Sequence, residues 1–112
     1  GHTIGHLIEA DSNHQISHGE AVAIGMLKAM KISEKLCGLD SNVTSKFQYF
    51  LEKLKITNNY EFNKNSVQIR ELLLNDKKVI NAKLKYVLLK DVGDPVLIDY
   101  DVSDLLNEIT NE

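Results

Sequence analysis

The chain has 112 residues, a formal net charge of −3 and a hydrophobic share of 43%, which is typical of one globular domain over residues 1–112. Lysines are interleaved with acidic residues, so we expect neither a nucleic-acid surface nor an anionic-membrane surface. The single cysteine excludes an internal disulfide, and no apolar run approaches the roughly 18 residues that a membrane span needs. We therefore expect a cytoplasmic location.

The predicted elements are mainly helical. In chain order, the expected helices are His2–Ala10, Glu20–Leu36, one from Ser41 or Asn42 to about Lys55, one from about Ser66 to Leu74, and a terminal helix capped by Asp101 or Ser103. The helix from Glu20 begins with a capping pattern at Ser17 and stops at Gly38. The third helix carries one apolar stripe: Val43, Phe47, Phe50, Leu51 and Leu54.

A small β element is expected near the end of the chain. Lys83–Leu89 alternates and then becomes apolar, and Val96–Ile98 follows the turn residues at 92–95. These two segments predict a hairpin. The fold class is therefore a mainly α domain with a small β hairpin.

All four histidines lie in the first twenty residues, at His2, His6, His14 and His18. Neutral imidazole is a common metal ligand. His2 and His6 stand four residues apart and share one helix face, while His18 follows a loop. Spacing alone favours a metal triad of these three, with the loop residue His14 the weakest candidate. The alternative is that the histidines only cap helices or satisfy hydrogen bonds in the core.

Two sequence blocks carry a resemblance to a known family. Gly1–Glu9 reads GHTIGHLIE and His18–Met26 reads HGEAVAIGM. Together they resemble the signature of 3-dehydroquinate synthase and its sugar-phosphate cyclase relatives. Asp76-Lys77-Lys78, then Lys83–Leu89 and Val92-Gly93, follow in the order of the family's later motifs. The resemblance therefore runs to about residue 93.

The resemblance implies most of the C-terminal helical domain of such an enzyme, with an NAD⁺-binding N-terminal domain outside this chain. In the family, Zn²⁺ or Co²⁺ is bound by an upstream Glu and by two histidines that match His2 and His18. His6 then matches a catalytic residue, which changes the role that spacing alone assigned to it. Lys77 or Lys78 matches a lysine that contacts substrate.

The implied activity is that of a phosphorus–oxygen lyase of the shikimate pathway, which leads to aromatic amino acids. It converts the sugar-acid phosphate DAHP into 3-dehydroquinate and phosphate with transient oxidation by NAD⁺, and the full-length enzyme is expected to be a homodimer. The chain opens on the histidine motif and not on Met, so we expect part of a longer protein, inactive alone. The alternatives are a related sugar-phosphate cyclase, a metal-dependent NAD alcohol or glycerol dehydrogenase, and a non-catalytic helical module.

Overall fold

The computed structural model describes residues 2–56, 60–76 and 79–110. Its elements, in chain order, are α1 (His2–Asp11), α2 (His18–Cys37), α3 (Ser41–Lys53), α4 (Ser66–Leu74), β1 (Val79–Ile80), β2 (Lys83–Asp91), β3 (Asp94–Asp101) and α5 (Val102–Thr110). The predicted fold class, mainly helical with a small antiparallel β element, is confirmed. None of the described helices is long and apolar enough to cross a membrane.

The ends of α2 follow the predicted signals. The Ser17 hydroxyl accepts a hydrogen bond from the backbone N–H of Glu20 and donates one to the Glu20 carboxylate. At the other end, Gly38 adopts φ 71°, and its N–H donates to the Ser33 carbonyl. Because these signals define where α2 starts, they also define where His18, its first residue, stands.

Helix α3 differs from its prediction in two ways. Its N-cap is Asp40, whose carboxylate accepts the N–H of Asn42, and not Ser41 or Asn42. The predicted apolar stripe is only partly buried, since Leu51 is 2% exposed whereas Phe50 and Leu54 are 55% and 54% exposed. The main packing neighbour of α3 is α2, and a helix with one principal neighbour buries only a narrow strip of its surface.

The sheet has the order β1-β2-β3 and is antiparallel throughout. The predicted hairpin is β2 with β3, and both strands are longer than predicted because pairing extends from Lys83 opposite Asp101 to Asp91 opposite Asp94. Gly93, at φ 76°, supplies the left-handed residue of the tight turn. The two-residue strand β1 was not predicted, since two residues carry no periodicity.

One apolar core joins the helices to the sheet. Its fully buried members include Ile4 and Ile8 of α1, Ile24 of α2 and Leu88 of β2. Helices α1 and α2 approach closely at Gly5, where an added Cβ would lie 3.2 Å from the Cα of Val22. This close pairing brings the start of α2 next to the exposed face of α1.

Candidate metal centre

Three of the four histidines converge on one surface of the molecule. The ring centroids of His2 and His18 are 5.6 Å apart, those of His2 and His6 are 6.0 Å apart, and those of His6 and His18 are 6.1 Å apart. Helix α1 buries Ile4 and Ile8 and leaves His2 and His6 exposed one turn apart. The first residue of α2, His18, lies against both rings.

These distances fit a shared metal ion. Two imidazoles that bind one tetrahedral ion at about 2.0–2.1 Å place their ring centroids roughly 5 Å apart. The pair His2 and His18, at 5.6 Å, requires the smallest adjustment of the three. Imidazole nitrogen is a good donor for divalent transition metals such as Zn²⁺. All three side chains are exposed, so an ion can reach them from solvent.

Glu9 is a member of this site that the sequence prediction missed. Its Oε1 lies 2.7 Å from Nδ1 of His18, and this hydrogen bond lowers the pKa of the Glu9 carboxyl below its ordinary value. The available signal was its position three residues after His6, which puts both side chains on one side of α1.

Two geometric measures select different ligand sets. Within the described residues, the group whose potential ligand atoms all lie within 4.8 Å of one another is His6, Glu9 and His18, without His2. By ring centroids, however, His2 lies nearer to His18 than His6 does. Rotation of an imidazole about χ2 moves its nitrogens but scarcely moves its centroid, so centroids better describe which rings can share an ion. The assignment of His2 and His18 as ligands and His6 as catalytic stays a prediction.

His14 stands in the turn after α1, with φ 60° and an exposed side chain. The contacts between imidazole rings in the described structure join the other three histidines. Its assignment as a bystander stays a prediction, and it offers a natural control for substitutions of the other histidines.

A cleft beside His6 adjoins the surface that His2, His6 and His18 share, here called the histidine face, and includes Asp76, the first residue of the Asp76-Lys77-Lys78 block, here called the DKK block. We call it the His6 cleft, and it is lined by Thr3, His6, Leu7, Ala10, Leu72, Leu73, Asn75 and Asp76. The predicted substrate contacts Lys77 and Lys78 lie outside the described residues. Asp76, which immediately precedes Lys77 in the sequence, lines the cleft together with His6. Packing of α1 on α4 therefore brings the catalytic candidate and the start of the DKK block to one cleft.

The sequence blocks also identify relatives. Residues 1–79 match the family model described as 3-dehydroquinate synthase C-terminal. The chain belongs to this family. The 3-dehydroquinate synthase of Clostridium tetani (strain Massachusetts / E88) is 38% identical over 110 residues, covering 97% of this chain and 29% of that protein. The enzyme of the same name from Thermococcus kodakarensis is 37% identical over 101 residues, covering 90% of this chain and 28% of that protein.

The fold has a close counterpart among solved structures. A crystal structure of 2-deoxy-scyllo-inosose synthase complexed with carbaglucose-6-phosphate, NAD⁺ and Co²⁺ matches with a TM-score of 0.81 at 27% sequence identity. The match covers 98% of this chain and 33% of that one. This chain thus spans about a third of the length of the relatives that it matches. The predicted family is confirmed, and the similarity extends beyond residue 93, where the quoted motifs ended.

Proposed function

We propose that this chain forms the metal-binding and much of the substrate-binding part of a 3-dehydroquinate synthase, which converts DAHP into 3-dehydroquinate and phosphate. The observation that carries the proposal is the convergence of three exposed imidazoles within 5.6–6.1 Å in a member of this family. A non-catalytic helical module does not require three histidines to lie together on one face. A dehydrogenase fragment is disfavoured because relatives named 3-dehydroquinate synthase align over nearly the whole chain.

We propose Zn²⁺ or Co²⁺ as the metal, with His2 and His18 among its ligands, and NAD⁺ as the cofactor, bound mainly by a further domain. The related 2-deoxy-scyllo-inosose synthase was crystallised with NAD⁺ and Co²⁺, which supports both groups. When bound, the metal would act as a Lewis acid at a substrate hydroxyl, while NAD⁺ would accept and return a hydride. Homodimer formation, cytoplasmic location and inactivity of the chain alone stay predictions.

The residues of this chain would bind and orient the substrate and move a proton. His6 lines the cleft and its ring lies 6.1 Å from that of His18, so it would exchange a proton with a substrate atom next to the metal. Lys77 or Lys78 would offset the negative charge of the substrate. The apolar lining at Leu7, Leu72 and Leu73 would exclude water from one side of the cleft.

The metal site is tested by Co²⁺ titration of the purified chain, followed by visible absorption. Substitution of a ligand, His2→Ala or His18→Ala, is expected to weaken Co²⁺ binding by at least tenfold, because a two-histidine site loses half of its donors. His14→Ala is the matched control and should bind Co²⁺ like the wild type. His6→Ala should retain most of the affinity if His6 is catalytic. Equal Co²⁺ binding by wild type and His18→Ala would contradict the proposal.

A related cyclase that acts on another sugar phosphate is the second candidate, favoured by the likeness to 2-deoxy-scyllo-inosose synthase. The identity of 38% to a 3-dehydroquinate synthase, against 27% to that cyclase, favours the first candidate. The assay is phosphate release from DAHP, compared with a hexose 6-phosphate, by this sequence joined to the NAD⁺-binding domain of a relative. We expect release from DAHP that His6→Ala reduces by about 10²-fold or more. Release from the hexose phosphate alone would favour the second candidate.

A further inference from the structure

We propose that Glu9 is a positioning residue for His18: its carboxylate accepts the Nδ1–H of the imidazole and so leaves Nε2 as the atom that binds the metal. This inference rests on the proposed function, because it assumes that His18 is a metal ligand. It assigns a role to Glu9, the acid that contacts His18, and it predicts which nitrogen of His18 carries the proton, a property that can be measured with or without metal.

The first support is a distance. Glu9 Oε1 and His18 Nδ1 are 2.7 Å apart, the length of a charge-assisted hydrogen bond. Two atoms that bind the same tetrahedral ion at about 2.0–2.2 Å stand roughly 3.4 Å from each other. The observed separation is therefore too short for these two atoms to act as ligands of one ion. The carboxylate and the imidazole are bonded to each other.

The second support is the chemistry of the ring. A neutral imidazole has one N–H and one lone pair, and a carboxylate without a proton can only accept a hydrogen bond. A glutamate carboxyl is ionised at neutral pH, since its ordinary pKa is about 4.3. The proton of His18 then lies on Nδ1, and the lone pair lies on Nε2 at the far edge of the ring. Ligand histidines commonly use such a carboxylate to fix their tautomer and ring orientation.

The third support is how the two side chains are enclosed. The Glu9 side chain is 16% exposed, whereas the His18 side chain is 58% exposed. Glu9 is anchored within α1, while His18 is the first residue of α2 and has a largely open ring. An acceptor that is mostly enclosed can restrain the orientation of the exposed ring, while most of the ring stays open to solvent. This is the arrangement that a positioning residue requires.

The competing arrangement makes Glu9 itself a metal ligand, together with His6 and His18. Potential ligand atoms of these three residues do lie within 4.8 Å of one another. That arrangement requires the 2.7 Å hydrogen bond to break before the metal binds. The two arrangements differ in the tautomer of His18 in the metal-free protein and in the size of the affinity loss, so one set of variants separates them.

The tautomer is measured by long-range ¹H–¹⁵N NMR of the metal-free chain at about pH 8, above the ordinary imidazole pKa. We expect the Nδ1–H form of His18 in the wild type and loss of this preference in Glu9→Ala. Glu9→Gln should retain part of it, because an amide oxygen still accepts a hydrogen bond. The matched control Glu61→Ala removes an exposed acid elsewhere and should leave the tautomer unchanged. A wild-type His18 with its proton on Nε2 would overturn the inference.

Metal affinity is measured with Co²⁺ alone as the probe. Glu9→Ala is expected to bind Co²⁺ 10- to 100-fold more weakly, the effect usual for a group that orients a ligand. Glu9→Gln should lose less, and Glu61→Ala should match the wild type. A loss in both Glu9 variants as large as in His18→Ala would assign Glu9 as a ligand and overturn the inference, as would no loss in Glu9→Ala. If the wild type binds no Co²⁺, the proposed function fails, whereas the tautomer still reports on the contact of Glu9 with His18.

Discussion

Two acidic residues at the end of α1, Glu9 and Asp11, stand two positions apart and have different surroundings. Glu9 is partly buried, and its partner is the exposed imidazole of His18. Asp11 is buried, and its carboxylate accepts hydrogen bonds from the hydroxyl of Tyr60 and from the backbone N–H groups of Asn63 and Lys64. Both carboxyl groups have a lowered pKa, so the pKa alone does not distinguish their roles.

The partners distinguish the two carboxylates. Two of the three partners of Asp11 are backbone N–H groups, at residues 63 and 64, in the segment that leads into α4. Asp11 therefore ties α1 to α4 and is part of the scaffold. The imidazole partner of Glu9 has a second nitrogen, which can bind a metal ion or exchange a proton. We therefore interpret buried Asp11, which has backbone donors, as a structural residue. We interpret Glu9, which is less buried and contacts an imidazole, as part of the candidate site.

The largest expected effect on stability is at Asp11. Asp11→Asn keeps the size of the side chain but replaces an ionised acceptor of three hydrogen bonds by an amide. We expect a loss of about 3 kcal/mol in the free energy of unfolding, because hydrogen bonds to charged groups contribute about 1.5–3 kcal/mol each and one oxygen still accepts. The measurement is urea denaturation, with the exposed Asp94→Asn as the control, which should change stability by less than about 0.5 kcal/mol.

The stability difference between the wild type and Asp11→Asn should depend on pH. Burial opposes ionisation of Asp11, but the hydrogen bonds from Tyr60, Asn63 and Lys64 outweigh it and lower the folded-state pKa. A lowered pKa gives stability that is present above the unfolded value, about 3.9, and is lost as the pH falls through the folded value. The stability difference between wild type and Asp11→Asn should therefore shrink below about pH 4. A difference that stays constant down to pH 2 would contradict this account.

The two acids can also be separated by their effects. Asp11→Asn should reduce stability while folded molecules retain the Co²⁺ affinity of the wild type. Glu9→Gln should leave stability unchanged and weaken Co²⁺ binding. If Asp11→Asn weakened Co²⁺ binding as much as Glu9→Gln, the division into scaffold and site would be wrong.

The sequence predicted the parts of this structure that depend on local signals. The bounds of α4, the N-cap of α2 at Ser17 and its C-cap at Gly38 follow from local sequence signals and periodicity, and the structure confirms them. The hydrogen bonds of Asp11 could not be predicted, because its partners lie 49 to 53 residues away in the chain. The position of Glu9 on the histidine face was predictable from helical spacing. Its contact with His18 was not, because it depends on how α1 packs against α2.

A smaller effect on stability is expected at Gly5, where α1 packs against α2. The three atoms nearest to a Cβ added at Gly5 are all backbone atoms of α2, namely Val22 Cα at 3.2 Å and Ala21 O and Val22 N at 3.3 Å. Backbone cannot rotate away as a side chain can, so Gly5→Ala must push the two helices apart. We expect overpacking to cost about 1–3 kcal/mol, partly offset by the roughly 1 kcal/mol that alanine gains over glycine within a helix. The net loss, about 1 kcal/mol, is measured by urea denaturation.

Gly5→Ala also tests whether the packing of α1 against α2 affects the metal site as well as the stability of the fold. Gly5 adjoins His6, and α1 carries Glu9 and two of the three histidines, so a shift of α1 relative to α2 lengthens the contact between Glu9 and His18. We therefore expect Gly5→Ala to weaken Co²⁺ binding as well as folding. Gly19→Ala is the control: it adds the same methyl group next to His18, but nothing lies within 4 Å of the added Cβ. If Gly5→Ala lost stability with unchanged Co²⁺ affinity, close packing of α1 and α2 would not be what aligns the site.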